Sequence, residues 1–326
     1  MRIVYPNVEH LEIDVTKTVH YEHLLKCARI THAADENAEA NLKLVRLLYD
    51  KQHYSVFRHV PHYYILNKSK NVPLSLIELL HAYQITNNPF INIKTENELI
   101  FVSTNEHFLI DNPSLKELLN DYEVTPEVFY KKGPIDLIYY SFKCTTQIST
   151  TRELNRVSPN AICEESTRYC NYSKDKFDGQ VAMCIPHWFK FKWDIKTINV
   201  NADYKLVSDI KEIYINDIEI LNDKYDRFAA LKYILDMIYD ERDYLDLLEK
   251  GLKPEDARGK LPLDTASNVI YTYTLDQWVN ILKLRYFGTT GKPHPNAKII
   301  AGKIYDILST NPSNKQYILS KSNISD

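Results

Sequence analysis

The chain has 326 residues and a formal net charge of −3, with 44% hydrophobic and 25% charged residues. This composition is typical of a globular protein with a sizeable core, and the small negative charge argues against a nucleic acid polymer as partner. No apolar run reaches the roughly 18 residues of a membrane-spanning helix and no secretion signal begins the chain, so we expect a cytoplasmic protein of a bacterium or phage-infected cell, without membrane contacts.

The first part of the chain predicts an edge strand, two helices and a second strand. Residues 1–15 alternate loosely between apolar and polar, whereas residues 21–30 and 36–51 have helical spacing. The second strand is predicted over residues 63–66. Residues from about 67 to 134 then predict an inserted, largely helical module, because LSLIELLHAYQI and SLKELLNDYEV have helical patterns and NNPF and DNPS are typical of turns.

The second part of the chain predicts further strands and helices on both sides of a polar stretch. Residues 136–146 predict a strand, and the segment TTRELNRV that follows predicts a short helix. Residues 210–249 have long helical patterns, and Gly251 stands where a helix cap is expected. A strand over residues 270–274 precedes a last helix, which begins near Asp276.

The polar stretch RELNRVSPNAICEESTRYCNYSKDK concentrates charged and hydroxyl side chains. Within it Glu164, Ser166 and Arg168 alternate, so that an extended backbone points all three side chains the same way. A carboxylate, a hydroxyl and a guanidinium on one face form a clamp for a small polar anion. The alternative is a solvated polar loop with internal salt bridges.

The segment HYSVFRHVPH raises the question of a metal site. Its histidines, His53, His59 and His62, straddle a loop and Pro61, with no Asp or Cys among them. This spacing favours hydrogen bonding or ligand contact over metal binding.

The cysteines and glycines exclude several common kinds of site. The five cysteines form no CxxC pair and are expected to be reduced thiols. Cys163 stands near the acidic cluster, but no neighbouring residue is an evident base for a cysteine nucleophile. With only seven glycines and neither GxGxxG nor GxxxxGK[ST], the chain has no Rossmann or P-loop signature.

Four separated blocks together resemble the flavin-dependent thymidylate synthases. HYSVFRH is similar to that family's HxSPFEH loop, and RVSPNAICEESTRY to its RHR-then-seven-then-Ser signature, with Arg156 and Ser166 at the matching separation. ARGKLPL resembles the segment of its substrate arginine. WVNILKLR, followed by His294 and Pro295, resembles its C-terminal helix. The blocks occur in the family's order and cover most of the chain outside the insertion.

The resemblance implies a single α+β domain over residues 1–326 that forms a homotetramer with active sites between subunits. It implies that FAD is bound, that NADPH reduces it, and that methylenetetrahydrofolate supplies a carbon for C5 of dUMP in dTMP biosynthesis. No enzyme nucleophile attacks the pyrimidine in this chemistry, and no metal is expected.

Carried over by position, the resemblance implies two sets of site residues. Those expected to bind the dUMP-like nucleotide are Glu153, Glu164, Glu165, Ser166, Thr167, Arg168, Arg258 and Arg285. Those expected to bind FAD are His53, Ser55, Arg156, Glu164 and Asn280. Arg168 and Arg258 suit the phosphate, and Arg285 is the expected catalytic residue, because a fixed cation stabilises negative charge at N3 of the pyrimidine. Asn280 and Arg285 lie about 140° apart on an ideal helix, so they contact different ligands or different parts of one.

The chain also departs from the family pattern. Arg156, Val157 and Ser158 stand where the family has Arg-His-Arg, Arg58 replaces a Glu, and Thr274 begins a segment that replaces an Asn-Ala-Arg-like run. Two alternatives therefore stay open. One is a hydroxymethyltransferase acting on dUMP or dCMP for modified phage DNA, and the other is a non-catalytic nucleotide-binding paralogue.

Overall fold

A four-stranded antiparallel sheet lies at the centre of the α+β fold. The computed structural model of the chain describes residues 1–18, 20–31 and 38–324. Its strands are β1 (Arg2–Val4), β2 (Asn7–Leu11), β3 (Pro61–Asn67), β4 (Ile91–Glu96), β5 (Leu99–Asn105), β6 (Glu123–Val124), β7 (Tyr139–Gln147), β8 (Ile162–Glu164), β9 (Ala182–Cys184), β10 (Phe189–Phe191), β11 (Ile198–Val200), β12 (Leu206–Ser208), β13 (Ile218–Ile220) and β14 (Ala266–Thr274). Its helices are α1 (Tyr21–Ile30), α2 (Ala38–Asp50), α3 (Leu74–Thr86), α4 (Glu106–Asp111), α5 (Pro113–Leu119), α6 (Pro126–Lys132), α7 (Ile148–Asn155), α8 (Arg227–Glu249), α9 (Pro254–Ala257), α10 (Leu275–Leu282), α11 (Pro295–Leu308) and α12 (Pro312–Ser322).

The central sheet has the strand order β2-β7-β14-β8. β14 pairs with β7 along its whole length, from Ala266 opposite Gln147 to Thr274 opposite Tyr139. Both strands are rich in β-branched and aromatic residues, which pack well on a pleated surface. The strands predicted on both sides of the polar stretch are confirmed as β7 and β14, and the predicted N-terminal edge strand is confirmed as β2.

The predicted last helix is α10, which packs against the central sheet. Trp278 is 1% exposed and lies in the main core cluster. Thr274 and Gln277 close a capping box at the start of this helix, which explains why it begins directly after β14. After α10 the chain forms a π-helical turn, Lys283–Phe287, which carries Arg285. The ideal-helix angle predicted between Asn280 and Arg285 therefore does not apply across this turn.

The insertion contains the helices α3 to α6 and also the hairpin β4–β5, which the sequence did not predict. These strands join β3 and β6 in a second sheet of order β4-β5-β3-β6. The runs INIKTE and LIFVSTN are rich in β-branched and aromatic residues on both sides of Asn97, whose φ of 51° lies in the left-handed region that Asn tolerates. The insertion thus extends β3 instead of standing apart from it.

The long helix is shorter than predicted. α8 covers only residues 227–249 of the range 210–249, because a 3-10 turn, Ile215–Asp217, and β13 precede it. The predicted cap is confirmed, since Gly251 has a φ of +94° just beyond the end of α8. The helix predicted over residues 36–51 is confirmed as α2, while its first two residues lie outside the described part of the chain.

No helix within the described ranges is both long and apolar enough to cross a membrane.

Candidate active site

A cleft of about 1420 Å³ opens where β8 ends at the edge of the central sheet. Its walls come from α1, α2, the 3-10 turn Tyr54–His59, α7 and the segment that follows α9. The predicted site residues in its lining are His53, Ser55, Glu164, Glu165, Ser166, Thr167 and Arg258. The fold therefore brings residues from three distant parts of the sequence into one cavity.

Glu164, the last residue of β8, lies in the floor of the cleft. Its Oε1 accepts hydrogen bonds from Thr151 Oγ1 at 2.7 Å and from Ser267 Oγ at 3.0 Å. Two fixed donors hold the carboxylate in one orientation. Since an ionised carboxylate has about four acceptor sites, it keeps the capacity to accept further N–H or O–H groups from a ligand.

Glu165, the next residue, is held by hydrogen bonds on both of its carboxylate oxygens. Its two carboxylate oxygens accept from Tyr172 Oη at 3.2 Å and from Asn268 Nδ2 at 3.0 Å. Burial raises the pKa of Glu165 in spite of these hydrogen bonds, which lower it. Glu165 thus anchors the segment after β8 to the central sheet.

The predicted alternation does not continue to Arg168. The chain turns after Ser166, whose carbonyl accepts the N–H of Tyr169 and whose Oγ accepts the N–H of Arg168 at 3.2 Å. The Arg168 side chain is 53% exposed and lies 3.2 Å from the carboxylate of Glu255, outside the cleft lining. Glu164 and Ser166 share the cleft as expected, while Arg168 sits at its outer edge.

Three arginines of the described chain also line the cleft. Arg29, Arg152 and Arg258 all line the cleft, and Arg152 and Arg258 are exposed. Arg258 belongs to the 3-10 turn that follows α9. It is far from Glu164 in the sequence but lines the same cleft. Guanidinium groups are the side chains best suited to a phosphate, because their fork matches its oxygens.

Two predicted nucleotide-binding residues lie elsewhere in the described chain. Arg285 donates from Nε to the backbone carbonyl of Glu153 at 3.0 Å, and its guanidinium lies 3.7 Å from the Glu153 carboxylate. Neither residue lines the cleft. In a single chain, Arg285 and Glu153 therefore contact each other and not the floor at Glu164.

Two predicted FAD-binding residues are also separate from the cleft. Asn280 lines a second cavity of about 470 Å³ together with Val157 and Ser158. Arg156 is exposed and lines neither cavity. Val157 packs against the main core, and the hydroxyl of Ser158 pairs with that of Tyr273.

His59 and His62 of the HYSVFRHVPH segment hydrogen-bond within the protein, as predicted, while His53 lines the cleft. His59 Nδ1 lies 2.8 Å from Thr272 Oγ1, and His62 contacts two carboxylates. The ligand atoms of His23, Cys27 and His59 lie within 4.8 Å of one another, a distance that a metal ion could span. Burial lowers the pKa of both His23 and His59 to about 3, so both rings are neutral.

Cys163 lines the cleft but has no thiolate character. It is 8% exposed, and burial raises the pKa of its thiol to about 12. A nucleophilic cysteine needs a depressed pKa. Cys163 is therefore not a candidate nucleophile.

Sequence reasoning missed many residues of the cleft lining, among them Tyr54, Arg29, Arg152 and His107. Tyr54 lies between two predicted residues, and Arg152 and Arg29 are helical arginines without a motif of their own. His107 comes from the insertion, and within the described chain it is the residue through which the insertion reaches the cleft. The spacing of Arg152 within the polar stretch was a usable signal, whereas nothing in the sequence marked His107.

A family model described as thymidylate synthase complementing protein, Thy1, matches residues 127–311, more than half of the chain. The match begins after the HYSVFRH segment and most of the insertion. Among solved structures, UMP/dUMP methylase PolB from Streptomyces cacaoi is similar in two complexes. The complex with 5-Br UMP has a TM-score of 0.44 and 14% identity and covers 100% of this chain and 99% of that chain. The complex with 5-Br dUMP has a TM-score of 0.42 and 15% identity and covers 98% and 97%. No curated protein matches.

Proposed function

The chain belongs to the thymidylate synthase complementing protein family, Thy1, and on this premise we propose that it transfers a one-carbon unit to C5 of dUMP bound in the cleft at the end of β8. The observation that carries this proposal is the meeting of Glu164, Ser166 and Thr167 with Arg152 and Arg258 around one cavity. This set of groups matches the two ends of a pyrimidine nucleotide. Arginine binds the phosphate, and the carboxylate and hydroxyls bind the polar edge of the base.

The size of the cleft supports a second ligand beside the nucleotide. Pockets for one small ligand measure about 300–1,000 Å³, and this cleft measures about 1420 Å³. His53, Ser55 and Glu164, three of the residues expected to bind FAD, line it. Tyr54, which lies between His53 and Ser55 in the sequence, also lines it. Together these lining residues offer one aromatic face and polar groups, which fit a flat ring system with polar edges.

Bound FAD would carry the one-carbon unit from methylenetetrahydrofolate and, once reduced by NADPH, supply the hydride. The chain's own residues then have three tasks. Arg258 holds the phosphate, and Glu164, fixed by Thr151 and Ser267, orients the base. Arg285 stabilises negative charge at N3 as the pyrimidine becomes nucleophilic.

Arg285 performs this task in the cleft of a neighbouring subunit of a homotetramer. In one chain, Arg285 lies against Glu153 and outside the cleft lining, and Asn280 and Arg156 are likewise outside it. The proposal therefore requires that the active site combine the cleft of one subunit with Arg285 of another. Mixed oligomers of the Arg258→Ala and Arg285→Ala variants test this arrangement.

A second candidate function is nucleotide binding without flavin chemistry. This second function is favoured by one corner of the structure. There Val157 packs against the core and the Ser158 hydroxyl forms a hydrogen bond with the Tyr273 hydroxyl. This corner offers no imidazole and no second guanidinium at positions 157 and 158. In this case the cleft would still bind dUMP, but the protein would not turn it over.

The test is to incubate the purified protein with FAD, NADPH, methylenetetrahydrofolate and dUMP, and to determine the mass of the nucleotide product. We expect dTMP. A hydroxymethylated nucleotide from dUMP or dCMP would replace the proposal with the alternative chemistry. Unchanged nucleotides despite measurable dUMP binding would support the non-catalytic candidate. The Arg258→Ala variant serves as the control with lowered turnover.

A further inference from the structure

We propose that His107 of the insertion and Tyr54 form an aromatic wall of the cleft for the flat ring of the flavin cofactor, and that Arg58 positions His107 from outside the cleft lining. This inference rests on the proposed function and gives the insertion a role in it. His107 and Arg58 belong to no cofactor set expected from the sequence.

The position of His107 is fixed by the backbone on both sides. The N–H of Glu106 donates to the carbonyl of Val60 at 2.9 Å, which ties the start of α4 to the end of the 3-10 turn. The side chain of Asn105 caps α4 by accepting the N–H of Phe108 at 3.0 Å. Helix α4 thus presents His107 to the cleft from a rigid support.

Arg58 fixes the orientation of the imidazole. Its Nε donates to His107 Nδ1 at 3.0 Å. Arginine can only donate, so Nδ1 accepts and the ring proton resides on Nε2. Burial lowers the pKa of His107, and Arg58 lowers it further while Asp111 opposes this. The ring is therefore neutral at pH 7. Its Nε2 lies 3.4 Å from the Asp111 carboxylate, so the face of the ring is the part left for contact with a ligand.

Arg58 in turn joins three segments of the fold. Its NH1 donates to the carbonyl of Asn160 at 2.9 Å, and its guanidinium carbon lies 4.7 Å from the centre of the Phe90 ring. Phe90 and His107 belong to the insertion, and Asn160 follows the corner at Val157 and Ser158. Arg58 thereby ties His107 to the segment that follows Val157 and Ser158.

The wall has the chemistry of a site for a flat heteroaromatic ring. The rings of Tyr54 and His107 lie 5.9 Å apart with an angle of 47° between their planes. Tyr54, His53 and Ser55 line the cleft beside His107. Aromatic faces favour stacking, and the neutral imidazole and the phenol ring offer such faces on one wall of the cleft. The exposed cations Arg152 and Arg258 lie in other parts of the lining, which leaves them for the phosphates.

The test is a titration of FAD onto the intact protein, followed by flavin fluorescence and by the visible flavin spectrum. For His107→Ala and Arg58→Ala we expect FAD affinity to fall about twofold to tenfold, the size expected for loss of an aromatic ring contact, and the flavin spectrum to shift. The affinity for dUMP, measured by calorimetry without FAD, is expected to change less than about twofold, because the nucleotide groups lie elsewhere. His81→Ala is the matched control, since His81 is an exposed histidine of the insertion that does not line the cleft.

His107→Gln tests the same point if the alanine variant unfolds, because Gln keeps an acceptor for Arg58 but removes the ring. Wild-type FAD affinity and spectrum in a folded His107 variant would overturn the inference and leave the proposed function intact. A wild-type protein that binds dUMP but not FAD would overturn both. Equal losses of FAD and dUMP affinity would also overturn the inference, since they would show a general disturbance of the cleft.

Discussion

Two regions on either side of α7 show how the same polar stretch divides in space. Arg152 lines the cleft, whereas Glu153, the next residue, lies against Arg285 outside it. Successive residues of a helix point about 100° apart, so one helix serves both regions. The cleft region collects groups that remain open to a ligand, while the Arg285 region pairs its charges within the chain. Motif residues that are neighbours in sequence are therefore not neighbours in the site.

The largest effect is expected from removing one cation in each region. Arg258→Ala and Arg285→Ala should each lower turnover about 10- to 100-fold, since a hydrogen bond to a charged group is worth about 1.5–3 kcal/mol. Co-expression of the two variants should restore part of the activity. A mixed tetramer contains sites in which an intact cleft meets an intact Arg285 from another subunit.

The measurement is turnover of the purified mixed oligomer, with oligomers of each single variant as controls. Activity no higher than that of the single variants would show that Arg258 and Arg285 do not act across subunits. Wild-type turnover of either single variant would place that arginine outside the active site.

A smaller effect is expected from the floor of the cleft. Glu164→Gln keeps the shape of the side chain but replaces one carboxylate oxygen by an NH₂ group, so dUMP affinity should fall about tenfold, as for loss of a charged hydrogen bond. Glu219→Gln is the matched control, because Glu219 is an exposed carboxylate that pairs with Lys190 far from the cleft lining. Equal dUMP affinities of both variants, measured by calorimetry, would remove Glu164 from the site.

A pH effect is expected from the insertion that supports the cleft. His62 is buried, and its Nε2 and Nδ1 lie 2.7 Å from Glu106 and 2.6 Å from Glu123. Burial lowers the pKa of His62, but the two carboxylates outweigh it and raise the pKa overall. The imidazolium therefore stabilises the fold fully below the ordinary histidine pKa near 6.5. This contribution is lost as the pH rises through the higher folded value.

Denaturant unfolding between pH 6 and 9 measures this contribution. The free energy of unfolding of the wild type should decline with rising pH over this range, and the decline should be weaker in His62→Gln. The same slope in both proteins would show that another group titrates. Burial raises the pKa of Glu106, but His62 and Lys116 outweigh burial and lower this pKa overall. The contribution of Glu106 to stability is therefore lost only in acid.

The smallest effect is expected at the edge of the cleft. Arg168 pairs with Glu255 on the surface, and such exposed pairs contribute about 0–1 kcal/mol to stability. Glu255→Gln frees Arg168 for a phosphate, so dUMP affinity should rise about twofold to threefold with little change in the melting temperature. Unchanged or weaker binding would show that Arg168 does not reach the nucleotide.

Local patterns predicted much of the fold and seven of the residues that line the cleft. The strands β7 and β14 and the cap at Gly251 follow from residue propensities that no tertiary contact overrides. The hairpin β4–β5 was missed because its turn depends on one Asn in the left-handed conformation. Ser166 was placed correctly in the cleft, but Arg168 was not, since a two-residue alternation cannot show where a strand ends.

The remaining part of the site depends on long-range contacts. His107 reaches the cleft because α4 is tied to the end of the 3-10 turn, more than 40 residues earlier in the sequence. No spacing rule connects such segments. Nothing in the sequence showed that Arg285 lies outside the cleft. Its position depends on its contact with Glu153, which does not line the cleft although its neighbour Arg152 does.

Calorimetric titration of dUMP onto the wild-type protein and onto Arg258→Ala tests the central claim, that the cleft at the end of β8 holds the nucleotide. Arg242→Ala is the control, because Arg242 stacks on Tyr239 of α8 and does not line the cleft. We predict that Arg258→Ala weakens dUMP binding at least tenfold and that Arg242→Ala leaves it unchanged. Absence of dUMP binding by the wild type, or equal affinity in all three proteins, would contradict the account.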